Sequence, residues 1–116
     1  MDKVCLAVDI GGTKIAAALV DEHGRLGSVV SAPTPHGDDP EAVWSALADA
    51  VGRVQRDGPE GVVCCGVGCG GPMSSGGETV SPLNIPGWRD FPLRARLAQL
   101  TGLPTAVDND AKALAL

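Results

Sequence analysis

The sequence predicts an α/β domain on a mixed five-stranded sheet, with elements in the order βββαβαβα. Three observations carry this prediction. Residues 3–34 hold three β-rich apolar runs separated by short turns. Residues 35–58 then switch to a helical period, and beyond them apolar runs alternate with helical ones. Short glycine turns favour antiparallel hairpins, whereas right-handed helical crossovers add later strands parallel to the first.

The elements follow in order. "KVCLAVDI" (3–10) alternates and is β-rich, and "GGT" breaks it. "KIAAALVD" (14–21) is the second strand, "EHGR" a turn, and "LGSVVSAPT" (26–34) a third strand closed by proline. Val43, Ala46, Leu47, Ala50, Val51 and Val54 recur at helical spacing. Asp39 is placed to cap that helix, with Pro40 and Glu41 in its first turn and Gly58 at its end. "GVVCCGVG" (61–68) is a continuous apolar run, the mark of a strand buried on both faces. Residues 69–90 form a long loop rich in Gly, Pro and Ser, with Trp88 and a short "ETVS" strand signal arguing for order. "DFPLRARLAQLTG" (90–102) is a helix with Asp90 as cap and Gly102 as stop. "PTAVDN" is a short strand, and "DAKALAL" (110–116) starts another helix.

Composition narrows the classes. The chain has 116 residues, 44% hydrophobic and 20% charged, which fits one folded domain and excludes disorder. A net charge of −5 gives no electrostatic reason for a nucleic-acid or anionic-membrane partner. No apolar run approaches the ~20 residues of a membrane span, and "MDKVCLAVDIGG" lacks a secretory h-region. A cytoplasmic location is expected. Cys5, Cys64, Cys65 and Cys69 read as small buried thiols in a reducing compartment. Cys65 and Cys69 could supply half of a zinc site, but no second pair follows, so no zinc is expected.

Three stretches can carry chemistry. In "VDIGGTK" (8–14), Asp9 ends a strand, and Gly11 and Gly12 let an anion approach the backbone N–H groups. Thr13 adds a hydroxyl, Lys14 a positive charge, and Asp9 an oxygen that suits Mg²⁺ through water. A phosphate cradle and a plain Gly-Gly hairpin turn both satisfy this stretch. It is neither a Walker A loop nor G-x-G-x-x-G. "GVGCGGPM" (66–73) lets a small ligand lie against the main chain, or is simply a turn. "SPLNIPGW" (81–88) presents Asn84, whose amide matches sugar hydroxyls, while Trp88 reads as a core anchor. In "VDNDAKALAL" (107–116) a strand delivers Asp108, Asn109 and Asp110 to its C-terminal end, where ligands of open α/β sheets bind. Asp110 is either a helix cap or a general base that takes a hydroxyl proton.

Taken in order, "VDIGGTK", "GVGCGGPM…SPLNIPGW" and "VDNDAKALAL" resemble the ROK family, in particular its bacterial glucokinase-like sugar kinases. The resemblance runs from about residue 4 to the end. It implies a ribonuclease-H-like lobe of the actin-like ATPase superfamily. It also implies that Asp9, Gly11, Gly12, Thr13 and Lys14 face the phosphates of ATP and its Mg²⁺. Gly70, Gly71, Asn84 and Asn109 would contact the sugar, and Asp110 would be both a sugar contact and the general base. Asp108 stands where relatives often have Glu, and Lys112 where many have Asn.

The implied activity is ATP-dependent phosphorylation of a hexose, glucose first. The rival is a non-catalytic sugar-sensing or regulatory module of the same family. Family members are longer, so residues 1–116 are expected to be an N-terminal lobe without its C-terminal lobe, inactive alone. The absence of a helix-turn-helix before residue 8 favours kinase over repressor. An exposed interlobe surface implies self-association as a homo-oligomer.

Overall fold

The computed structural model describes residues 3–57 and 61–108. β1 (Val4–Ile10), β2 (Lys14–Asp21), β3 (Val30–Pro33), α1 (Pro40–Asp57), β4 (Val62–Cys69), α2 (Leu93–Thr101) and β5 (Thr105–Asp108) appear in the expected order. The helix expected at 110–116 and the stop at Gly58 lie outside the described residues. The sheet order is β3-β2-β1-β4-β5. β1, β2 and β3 form an antiparallel meander, while β4 pairs parallel with both β1 and β5. This is the mixed sheet that the alternation of hairpins and crossovers demands.

The third strand is shorter than the sequence suggests. The Asp21 carboxylate accepts the His23 and Arg25 N–H groups, both at 2.9 Å, and Gly24 takes φ 79°. That local turn competes with the ladder. Only a single bridge between Val20 and Leu26 follows it before β3 begins at Val30.

Alternate strand residues divide the sheet into two faces. On one face Leu6, Val8 and Ile10 of β1, Ile15, Ala17 and Leu19 of β2, Cys65, Val67 and Cys69 of β4, and Val107 of β5 join the core. α1 lies against β2 and β3 and contributes Val43, Leu47, Ala50, Val51 and Val54. Those helix positions are five of the six expected from spacing, and Ala46 packs at the margin. α2 lies against β5 through Leu93 and Leu97. β4 is buried on both faces from Cys65 to Cys69 only.

Asp39 caps α1 as expected, its carboxylate accepting the Glu41 N–H at 3.0 Å. The cap expected at Asp90 is not one. Asp90 has φ 51°, and Phe91 exchanges two backbone hydrogen bonds of 3.0 Å with Val80. The chain is therefore bridged at Phe91, and α2 starts two residues later, with Pro92 at the capping position and no side-chain cap. Gly102 does end the helix, at φ 70° with its N–H on the Ala98 carbonyl.

The cysteines divide. Cys65 and Cys69 are buried free thiols, and burial pushes them up to about 11 and about 12 respectively. Cys5 and Cys64, expected to be reduced, instead form a disulfide. The cause is register: Val4 pairs with Val62 but Cys5 pairs with Cys64, so Val63 bulges out. The two cysteines then face each other on neighbouring strands with Cα atoms 4.9 Å apart, within disulfide reach. Reduction is expected to lower unfolding free energy by about 2–4 kcal/mol, the usual range for such a cross-link, checked by urea melts with and without reductant.

The long loop joins the core through Trp88, which is fully buried, stacks on Phe91 at 4.3 Å and donates Nε1–H to the Pro40 carbonyl at 3.1 Å. The two helices are tied by a two-pronged ion pair, Arg96 donating to the Glu41 carboxylate at 2.7 and 2.8 Å. The same guanidinium lies 4.6 Å from the Trp44 ring centroid. Its hydrogen bonds hold the Glu41 carboxyl below its ordinary value. A lowered carboxyl stabilises the fold above its unfolded value and ceases to do so as pH falls through the folded one. Glu41→Gln is therefore expected to melt lower than the parent at pH 7. The gap in melting temperature should close once pH falls below the carboxyl's lowered range.

Candidate functional site

Because β1, β4 and β5 run parallel, their C-terminal ends meet at one sheet edge. Asp9 pairs with Gly68, and Gly68 with Asp108. Register partners share a face, so the two aspartates stand on either side of a glycine, two strand spacings or about 10 Å apart. Both are exposed, whereas Gly68 is buried. Asp9 also lies near enough to Cys69 for its charge to add to the burial that raises that thiol.

The turn after β1 is tight and held from two sides. Gly11 N–H donates to the Lys14 carbonyl at 2.9 Å. The Thr34 hydroxyl donates to the Gly11 carbonyl at 2.7 Å, and the Thr34 N–H to the Thr13 carbonyl at 2.9 Å. Thr13 and Lys14 are exposed at the turn. It is thus a hairpin turn in topology that offers a hydroxyl, an ammonium and close backbone approach together.

The loop carrying Asn84 lies directly on this turn. A Cβ at Gly12 would come 2.5 Å from the Asn84 Cβ and 3.3 Å from its carbonyl oxygen. Asn84 itself is exposed, and the Ile85 side chain beside it is buried. Gly87 permits a similar approach to the residues just before α1, where a Cβ would meet the Asp38 carbonyl carbon at 3.0 Å. At the other end of the loop, Gly77 takes φ 70° and a Cβ there would meet the Val107 carbonyl oxygen at 2.5 Å. One loop therefore touches both the β1 turn and the end of β5.

Of the residues expected at a site, the structure brings together residues 9, 11, 12, 13, 14 and 84. Gly70 is exposed just past β4, with open space where a Cβ would stand, and Gly71 enters a cis peptide bond with Pro72. Asn109 and Asp110 follow β5 directly in sequence and lie outside the described residues. Three positions escaped the sequence reading. Thr34, Gly77 and Gly87 act through contacts with residues far along the chain, and no local pattern marks them. A separate shallow depression at Trp44, Arg96, Gln99 and Leu100 is lined by helix residues only and contains none of the expected site residues.

The donor set fits phosphate and a cation that arrives with it. Among the described residues no group of three or more His, Cys, Asp or Glu could hold a metal. Mg²⁺ is commonly held by one or two carboxylates, water and phosphate oxygens, so a single Asp9 beside a turn with an exposed hydroxyl and ammonium fits that donor set.

A five-stranded mixed sheet with a glycine turn after its first strand and polar residues at the parallel strand ends defines a ribonuclease-H-like lobe of the actin-like ATPase fold. Comparison with known proteins narrows this class. The chain belongs to the ROK family, which it matches over residues 5–116. It is 43% identical over 110 residues to a glucokinase of Streptomyces coelicolor, an alignment covering 95% of this chain and 33% of the relative. It is 40% identical over 111 residues to an N-acetylmannosamine kinase of Escherichia fergusonii, covering 95% of this chain and 37% of that enzyme. A ROK family glucokinase from Streptomyces griseus, solved with glucose and AMPPNP, superimposes with a TM-score of 0.80 at 38% identity, over 93% of this chain and 33% of that structure. The chain thus spans about a third of the length of these relatives.

The contact between Gly12 and Asn84 has a measurable consequence. Gly12→Ala must push the Asn84 loop aside and is expected to cost about 1–3 kcal/mol, as overpacking commonly does. Gly70→Ala, which meets nothing within 4 Å, should leave stability near that of the parent. Chemical denaturation of the two variants side by side checks the contrast.

Proposed function

We propose that residues 1–116 form the N-terminal lobe of an ATP-dependent hexose kinase, glucose being the first substrate to test. One observation above all supports this reading: the missing Cβ of Gly12 seats the Asn84 loop directly on the β1 turn. A phosphate-accepting turn and a sugar-accepting amide then share one sheet edge, as phosphoryl transfer between them requires. The glucokinase and N-acetylmannosamine kinase relatives support a sugar as acceptor. The neighbour solved with AMPPNP supports a nucleotide as donor.

In this reading the backbone of Gly11 and Gly12, the Thr13 hydroxyl and the Lys14 ammonium bind and orient the phosphate chain. Asp9 holds Mg²⁺ through water. Bound MgATP supplies the γ-phosphoryl group and the cation that neutralises its charge. Asn84 and Asn109 hydrogen-bond sugar hydroxyls, and the backbone at Gly70 and Gly71 admits the ring against the main chain. Asp110, two residues past the end of β5, takes the proton of the attacking hydroxyl. The lobe provides one wall of the cleft, and the chain by itself is expected to be inactive.

Asp110→Asn keeps the shape and hydrogen-bonding reach of the side chain but removes its basicity. In the full-length kinase it is expected to lower kcat by about 10²–10⁴-fold, the usual worth of a general base. Steady-state kinetics with glucose and MgATP measure this, and near-normal turnover would rule Asp110 out as the base.

A further inference from the structure

Among the described residues Thr34 is the buried polar side chain, 2% exposed, and it lies 20 residues beyond the turn it serves. Both of its hydrogen bonds to that turn go to carbonyls. The hydroxyl takes the Gly11 carbonyl at 2.7 Å, and the backbone N–H takes the Thr13 carbonyl at 2.9 Å. In a planar trans peptide the C=O and N–H point in opposite directions. Holding the Gly11 carbonyl towards Thr34 therefore turns the Gly12 N–H away from it. Holding the Thr13 carbonyl does the same for the Lys14 N–H. Glycine at 11 and 12 would otherwise leave this stretch free to rotate, since glycine has the widest range of backbone conformations.

We propose that Thr34 is a positioning residue for phosphate binding: its hydroxyl locks the peptide between Gly11 and Gly12 so that the Gly12 N–H is presented to the phosphate chain. The inference rests on the proposed role of the turn and adds a residue outside it. Thr34 contacts no phosphate itself. It acts by satisfying the carbonyl on the far side of the peptide. A binding-competent turn then exists before ligand arrives, and less ordering is required on binding.

Val is close to Thr in shape but lacks the donor, and Ser retains the donor without the methyl group. The test is amide NMR of the 116-residue chain as it stands, with MgATP as probe, on the parent, Thr34→Val and Thr34→Ser. The Gly11, Gly12, Thr13 and Lys14 signals of the parent should shift on titration at millimolar MgATP. Thr34→Val should retain the sheet's signal dispersion, speed hydrogen exchange at Gly11, whose N–H is bonded to the Lys14 carbonyl within the turn, and weaken MgATP binding about tenfold, the scale of one buried hydrogen bond. Thr34→Ser should recover most of the affinity, which a purely steric role for the side chain would not allow.

The results that would overturn the inference differ from one another. If the parent's turn responds to MgATP and Thr34→Val binds equally well, the turn binds phosphate but Thr34 does not position it. If no turn amide of the parent responds, the phosphate role of the turn fails and the positioning role fails with it. If Thr34→Val loses dispersion throughout, Thr34→Ser decides: affinity reduced as far as a missing hydroxyl would reduce it counts against the hydroxyl's role, and near-parent affinity supports it.

Discussion

Parallel pairing of β1 with β4 and of β4 with β5 is the constraint on which the rest of this molecule depends. It brings the C-terminal ends of three strands to one edge of the sheet, although those ends lie far apart along the chain. Register sharpens the effect. Because Asp9 pairs with Gly68 and Gly68 with Asp108, two carboxylates flank a residue without a side chain. The antiparallel partner β2 then closes the turn after β1 within a few residues, which keeps residues 11–14 tight and leaves Thr13 and Lys14 exposed at that edge.

Strand direction alone would leave the loops free to splay. They are drawn together by positions where a side chain would not fit. Gly12 admits the Asn84 loop, Gly77 admits the end of β5, and Gly87 admits the segment that leads into α1. Trp88 supplies the opposing anchor, buried beneath the loop and bonded to Pro40. An apolar ring below and close backbone contacts above hold the connection of residues 70–92 in place with little regular structure. That arrangement leaves polar side chains such as Asn84 exposed while the backbone is fixed.

Much of this is legible in the sequence. The periodicities of residues 3–21 and 40–57 mark two strands and a helix whose limits agree closely with those observed. The family motifs lie at strand ends, and membership in the ROK family follows from them and from the comparisons. What failed to read was contact between distant residues. The Asp90 cap was a reasonable local inference, but pairing of Phe91 with Val80 delays the helix. The sequence alone implies four free thiols, because nothing in spacing reveals that a bulge at Val63 aligns Cys5 with Cys64.

The division has a physical basis. By itself the sequence determined element type, order and strand-end motifs, because these rest on hydrophobic period, turn residues and caps that act within a few residues. Tertiary structure alone decided which carbonyl Thr34 satisfies, which glycine lies against Asn84, and which cysteines face each other. Those outcomes depend on register and close packing across the sheet, where a shift of one residue would turn every side chain to the opposite face.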